Sequence, residues 1–466
     1  MGRRCYRSAG LVIVLGALAS PLAGQGSSVY NQSACASGRG GVAVAAPCVD
    51  GSSVYYNPAL LAVTPSAVSA GFDAIYNEGS FTYDTTGVVV ERDPSMPIVP
   101  QAYANYRFGP DRRWAAGVGF WAPYGLTLEW PDDFEGRFIS WNTTLRGLYL
   151  QPTVAYQLVP GTLAIGAGPQ IVFGGIEINQ AVDAPVANVQ LAALGVPLGT
   201  DLATAVLSGS GTGIGGHFGL YYRASDRFAV GVRYMMPVTV DLEGDADFEA
   251  VSHPELVLRL PDEGTGETIT VPFDALVAPQ FGPDGPLADQ DVTASIEFPP
   301  QLVAGFRAGL TDQLALGFDY QLTGWSTFDE IVAVFSGAAP DLALTLDYND
   351  AHTYRTGLTY TTATGLDLQA GFIYNTAASP DQTVTPLLPE AERQNYAAGL
   401  GKRFGSLRAD IFYQFVNQAN RRGRVRSALP GDQLFERDPE TLNAGVYDLK
   451  AHLVGLTLAY VFGADR

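Results

Sequence analysis

The sequence predicts an all-β fold: a transmembrane antiparallel β-barrel of about fourteen strands with an N-terminal plug in its lumen. Three observations predict it. Apolar and polar or small residues alternate with period two almost to the end of the chain. The connections alternate between short turns and long loops. The chain is 47% hydrophobic and only 16% charged, yet it holds no apolar run long enough for a membrane-spanning helix.

The N-terminus reads as an export signal. Arg3, Arg4 and Arg7 form a basic start, Gly10 to Ala19 a short apolar core, and Pro21, Ala23, Gly24 and Gly26 a small-residue cleavage zone. The apolar core is about ten residues, too short to cross a bilayer. Residues 1–24 are therefore expected to be removed. Their loss takes three of 27 basic residues and no acid, leaving 24 against 47, or a net charge of −23. Nucleic acid is excluded as a partner, because phosphate needs a basic surface. Cys5 falls in the signal. Cys35 and Cys48 remain and, in an oxidising compartment, predict one disulfide; the alternative is two buried thiols.

Side chains alternate between the two faces of a strand, so period-two rows separate a lipid face from a lumen face. Phe228, Val230, Val232, Tyr234 and Met236 oppose Ala229, Gly231, Arg233 and Met235. Leu314, Leu316, Phe318, Tyr320 and Leu322 oppose Ala315, Gly317, Asp319 and Gln321. Val454, Leu456, Leu458, Tyr460 and Phe462 close the chain opposite Gly455, Thr457 and Ala459. The strands are expected at 66–83, 98–108, 113–123, 143–158, 161–178, 210–224, 227–248, 290–311, 312–327, 347–362, 365–378, 391–404, 407–419 and 446–462. Short turns such as Pro160-Gly161 and Gly405-Ser406 belong to the periplasmic end. Long loops at 124–142, 179–209, 249–289, 328–346, 379–390 and 420–445 belong to the outer end. The N-terminus then lies in the periplasm. Residues 25–65 do not alternate and are rich in Gly, Ala and Ser, which suits a segment folded into the lumen; the barrel follows over 66–466.

Five stretches carry a family resemblance. Ser37-Gly38-Arg39-Gly40-Gly41 precedes Val54-Tyr55-Tyr56-Asn57-Pro58-Ala59-Leu60 in the plug. Ala122-Pro123-Tyr124-Gly125-Leu126 ends the third strand. Phe298-Pro299-Pro300 and Tyr320-Gln321-Leu322-Thr323-Gly324-Trp325 follow in order. Together they resemble the FadL family of outer-membrane transporters for long-chain fatty acids and other hydrophobic compounds. The resemblance implies passive uptake gated by an N-terminal hatch, with lateral release through a kink in the third strand. It makes Asn57, Pro58 and Ala59 the gate and Trp121, Ala122, Pro123, Tyr124 and Gly125 the kink, with the gate resting against the kink. The alternatives are an uptake channel for aromatic or alkane hydrocarbons, and a structural or adhesive barrel.

Other residues invite a role from their chemistry. The outer loop 179–209 is unusually apolar, so Leu191, Leu194, Val196 and Leu198 are candidates for a substrate-collecting groove; the alternative is packing of the loop itself. Arg233, Arg307 and Arg355 fall on lumen faces and are candidate partners for a carboxylate, or else neutralise luminal acids. Asp241, Glu243, Asp245, Asp247 and Glu249 recur every second residue on Arg233's face, so this part of the strand is expected above the membrane. Arg421, Arg422, Arg424 and Arg426 could meet lipopolysaccharide, or be an ordinary solvated loop. No catalytic motif assembles. Gly211-Thr212-Gly213-Ile214-Gly215-Gly216 matches a dinucleotide pattern, but strand rather than helix follows it. The chain is expected to be a monomer without enzyme activity, cofactor or metal.

Overall fold

The computed structural model describes residues 28–261, 268–423 and 442–463. The expected signal peptide, Arg424 and Arg426 lie outside the described residues. Fourteen wall strands follow in antiparallel order: β1 (Ser66–Tyr83), β2 (Ile98–Phe108), β3 (Trp114–Glu129), β4 (Asn142–Val159), β5 (Leu163–Asp183) and β6 (Asp201–Ser225). β7 comes in two pieces, a lower Phe228–Met235 and an upper Val238–Ala250. β8 likewise has an upper Gln290–Phe298 and a lower Gln301–Gly309. β9 (Leu314–Thr323), β10 (Ala351–Thr361), β11 (Leu366–Asn375), β12 (Arg393–Phe404), β13 (Leu407–Gln418) and β14 (Gly445–Phe462) complete the wall.

The ring closes where β1 pairs with β14, from Ser66↔Phe462 to Tyr83↔Gly445. Closure leaves the sheet without free edges, the condition for β structure in lipid. On β1, Val68, Phe72 and Tyr76 face outward while Ser69, Asp73 and Asn77 are buried, the alternation read from the sequence. Tight turns join strands at the lower end; Gly365 and Gly405 take φ of 73° and 63° there, a region that favours glycine.

Several boundaries differ from expectation. β3 runs to Glu129, because its upper arm keeps pairing with β4 from Tyr124↔Gly147 to Glu129↔Asn142. β5 and β6 extend toward each other, pairing as far as Asp183↔Asp201, so the loop expected at 179–209 shrinks to 184–200. The strands expected as continuous at 227–248 and 290–311 break at Pro237 and at Pro299-Pro300, since proline offers no N–H to the ladder. β9 stops at Thr323 and β10 begins at Ala351, both shorter than read.

The break at Pro237 changes the facing of everything above it. Below it Arg233 and Met235 point inward; above it Val238, Val240 and Leu242 do. A shift of one residue moves a whole row to the other face. The acidic row from Asp241 to Glu249 is therefore exposed on the outside, opposite to Arg233's face rather than on it.

Residues 28–65 sit inside the ring and are almost wholly buried. They form three short helical turns, Ala34–Ser37, Ser53–Tyr56 and Pro58–Ala62. Their polar contacts go round the wall. Ala34 N donates to Thr457 Oγ1 on β14 (2.9 Å), and Asn31 Nδ2 to Gln414 Oε1 on β13 (3.1 Å). Ala43 N and Val44 N donate to Asp319 Oδ2 on β9 (2.8 and 3.0 Å), and Gln157 Nε2 on β4 reaches Ala62 O (2.6 Å). A segment touching opposite sides of a closed ring must lie within it. Cys35 and Cys48 are bonded to each other, with Cα atoms 6.1 Å apart.

Candidate functional site

Three features could handle a ligand: an apolar cavity at the outer mouth, an opening in the wall beside β3, and a polar floor where the N-terminal segment meets the barrel.

The cavity has a volume of about 120 Å³. Ile176 and Ile178 of β5, Leu207 of β6, Leu242 of upper β7 and Val292 of upper β8 form its wall side. Phe138, Ile139, Ile331, Leu344 and Leu387 cover it from the loops. No charged side chain lines it; Gln180, Ser208, Thr345, Thr383 and Thr385 are its polar members. Arg137, next to Phe138 in sequence, is tied to Asp201 at 3.0 Å. In the connection between β11 and β12, burial raises the Glu390 carboxyl above its usual range, although it accepts the backbone N–H of Ala378 (2.9 Å) and Ser379 (3.2 Å). These lining residues come from four wall strands and three loops, so no local motif marks them. The apolar, β-branched run Ile331-Val332-Ala333-Val334 inside the loop expected at 328–346 is the readable signal.

The wall opening arises at β3. β2 and β3 pair from Phe108↔Trp114 up to Ala102↔Phe120 and no further, while β2 continues along β1 to Ala74↔Ile98. Between Trp121 and Tyr124 the pairing of β3 with β4 slips by one residue, a β-bulge that bends the strand. The carbonyls freed by the bend are taken by the N-terminal segment: Val29 N donates to Pro123 O (2.7 Å) and Gln32 Nε2 to Ala122 O (2.8 Å). Trp121, Ala122, Pro123, Tyr124 and Gly125 are all buried, and Trp121 lies between Tyr103 and Tyr149. The Tyr124 hydroxyl donates to Pro299 O (2.6 Å), so the bend in β3 is joined to the break in β8.

Asn57-Pro58-Ala59 does not rest against this bend. Asn57 Nδ2 donates to Val44 O (2.8 Å) and to Leu220 O of β6 (3.0 Å), and its Oδ1 accepts Ala59 N (3.1 Å). Gly219 and Gly166 make room: a Cβ on Gly219 would strike Asn57 Oδ1, and one on Gly166 the Pro58 backbone. The motif seats the segment on β5 and β6. Ser28, Val29 and Gln32, which meet the bend, carry no motif; of the two bonds, the one from Val29 uses a backbone N–H that any residue but proline supplies.

The expected arginines divide. Arg233 is buried, its Nη2 bonded to Gln301 Oε1 (2.8 Å) and its guanidinium 4.6 Å from the Tyr55 ring centre. Gln301 Nε2 in turn donates to Tyr124 Oη (2.9 Å). Arg355 bonds to Gln321 Oε1 (2.7 Å) and stacks over Tyr30 at 4.2 Å. Both hold the N-terminal segment, and neither lines the apolar cavity. Arg307 lies apart, in a polar hollow with Arg39, Asp312 and Asp367.

The expected groove is also corrected. Leu191 and Val196 are buried in a small core shared with Leu202 of β6 and with Leu258, Phe273 and Val277 of the β7–β8 connection; Leu194 packs against it and Leu198 is 58% exposed. None of the four lines the cavity. In that loop core the Ser252 hydroxyl and His253 N–H hold the Asp274 carboxyl below its usual range. Arg421 pairs with Asp381 (3.1 Å) and Arg422 with Asp84.

A plugged fourteen-strand ring with one strand bent out of the wall is a specific arrangement, and comparison with known proteins gives the same answer. Residues 15–462 match the outer membrane protein transport protein family (OMPP1/FadL/TodX). The chain belongs to this family. Members are transport channels of the outer membrane for hydrophobic substrates, not enzymes. The 47 kDa outer membrane protein of Pasteurella multocida is 24% identical over 360 residues, 75% of this chain and 76% of that one. The long-chain fatty acid transport protein of Escherichia coli is 24% identical over 321 residues, 67% of this chain and 66% of that one. In fold, a Pseudomonas aeruginosa FadL homologue superposes with a TM-score of 0.76 at 18% identity, over 94% of this chain and 100% of that one. The Pseudomonas putida toluene transporter TodX gives 0.67 at 16%, over 92% and 98%.

Proposed function

We propose that this family member passes hydrophobic molecules passively from the apolar cavity at its mouth into the membrane, past an N-terminal hatch seated on the bend in β3. The observation that carries this reading is the pair of bonds from Val29 and Gln32 to the Pro123 and Ala122 carbonyls. Buried carbonyls without partners are costly, about 1–3 kcal/mol each. Movement of the hatch and opening of the bend are therefore coupled. An apolar solute gains nothing from an aqueous pore, whereas a path between apolar surfaces suits it. The closed ring has no free edge to pair with a second copy, which favours a monomer.

The cavity favours an uncharged ligand. A carboxylate there would meet no cation, since Arg233 and Arg355 lie outside this lining, where they bond to Gln301 and Gln321. The Escherichia coli relative is named for long-chain fatty acids and the Pseudomonas putida structure for toluene; this lining supports the second class. A long-chain fatty acid would place only its alkyl chain in the cavity. Uptake of radiolabelled toluene and oleate should be measured in cells with and without the protein at matched surface levels. Toluene uptake that depends on the protein supports the reading. Protein-dependent uptake of oleate alone reverses the choice of ligand, and uptake of neither rejects transport of these classes.

A further inference from the structure

The wall carries a second irregularity, between β6 and the upper piece of β7. The β6–β7 ladder ends at His217↔Met235 and resumes only at Ser210↔Glu243. Among the described residues no ladder joins 211–216 of β6 to 237–242 of β7. The last backbone bond before the gap runs from Met236 N to Gly216 O (2.8 Å). On its other side β6 stays fully paired with β5 through this stretch, including Gly211↔Gly174 and Gly213↔Val172. The defect therefore belongs to one seam and not to a frayed strand.

Along the seam β7 lies against β6 by contact, without a ladder. The inward positions of β6 here are all glycine, at Gly209, Gly211, Gly213 and Gly215. β7 lies over this bare track with both its carbonyls and its valines: a Cβ on Gly213 would stand 2.5 Å from Thr239 O, 2.6 Å from Val238 Cγ1 and 3.0 Å from Val240 Cγ2. Contacts between apolar groups can slide and part at a cost that is spread out, whereas a ladder breaks bond by bond.

The upper pieces of β7 and β8 form one unit, paired from Gln290↔Ala246 to Phe298↔Val238. Proline breaks both strands at its base, at Pro237 and at Pro299-Pro300. Its far edge is lightly held, by Val292↔Phe335 and Thr293↔Val334. The apolar cavity reaches the top of the seam, since Leu242 of the seam and Gly209 just above it both line the cavity. On the outside, Ile214 is 79% exposed and Met236 is 40% exposed, so apolar side chains flank the seam where lipid would lie.

We infer that the β6–β7 seam is a second lateral portal, through which an uncharged apolar molecule passes between the mouth cavity and the surrounding lipid without crossing the hatch. This rests on the transport reading above. The portal opens when the β7–β8 unit tilts on its proline breaks and withdraws Val238 and Val240 from the glycine track.

The test is a reversible lock. Gly213→Cys with Val238→Cys, once oxidised, ties β6 to β7 across the seam. Uptake of radiolabelled toluene should fall clearly below that of the reduced variant without reaching the background of cells lacking the protein, since the path at β3 stays open, and should return on reduction. The parent chain under the same reductant controls for Cys35–Cys48. Parental uptake by the oxidised variant overturns the portal and leaves the transport reading intact. Absence of uptake by the parent overturns both. Should the variant not assemble, the parent chain can be photolabelled in lipid vesicles with a diazirine derivative of toluene. Label in the peptides spanning 208–216 and 236–242 is expected. Label confined to 28–32 and 120–129 overturns the portal.

Discussion

The backbone N–H of Val29 donates to the carbonyl of Pro123 at 2.7 Å, joining the start of the luminal segment to the bend in the third strand. The bend needs such a partner, because β2 no longer pairs with β3 above Phe120. Gln32 adds a second tie, its Nε2 reaching both Ala122 O (2.8 Å) and Val29 O (3.0 Å).

Gln32→Ala removes both side-chain bonds and leaves Ala122 O buried without its donor. The hatch should loosen by about 1–3 kcal/mol while the barrel still inserts. Toluene uptake per barrel should rise. An unchanged rate, with heat-modifiable migration intact, would mean that these bonds do not hold the path shut.

Asn57→Ala acts elsewhere. It removes the amide that ties Val44 O and Leu220 O together, and should unseat the segment from β6 at a cost of about 1–3 kcal/mol. Amide exchange at residues 55–62 should speed up relative to the wall strands. Exchange equal to the parent's would show that Pro58 and the surrounding packing hold the turn alone.

Cys35 and Cys48 should be recovered as one disulfide-linked peptide pair by mass spectrometry without reduction. Replacing both with Ser should leave the barrel intact and destabilise the segment, by about 3 kcal/mol on a chain-entropy estimate for a loop of this size. Two freely alkylated thiols in protein taken from the outer membrane would refute the bond.

Asp245 faces Asp291 directly across the pair of upper strands. Like charges in register are destabilising, by about 0.2–1 kcal/mol at an exposed site. Asp245→Lys should therefore assemble as well as the parent and resist thermal unfolding slightly better. Failure to assemble would place this row against lipid rather than above it.

Filling the cavity should block it. Ala294→Trp puts a large ring among Ile176, Leu242 and Val292. Toluene uptake should fall strongly with no change in surface level. Ala333→Arg, in the same lining, should instead shift preference toward oleate. Neither effect would appear if ligands bypass this cavity.

The sequence by itself determined the barrel. Alternation sorts each strand's side chains between lipid and lumen, and that sorting is local: Val68, Phe72 and Tyr76 face outward because of their own spacing. Turn and loop lengths set the strand order for the same reason. Only the tertiary structure decided the site. The Arg233 guanidinium is held by Gln301 and Tyr55, which lie on another strand and in the luminal segment, away from the apolar cavity. The bend in β3 is met by Val29, whose contribution is a backbone N–H that every residue but proline possesses. The acidic row changed faces through one proline break, and the cavity is lined from strands far apart in sequence. Period-two patterning reports which face a residue takes. It carries no record of what crosses the lumen to meet it, because that depends on contacts made only when the ring closes.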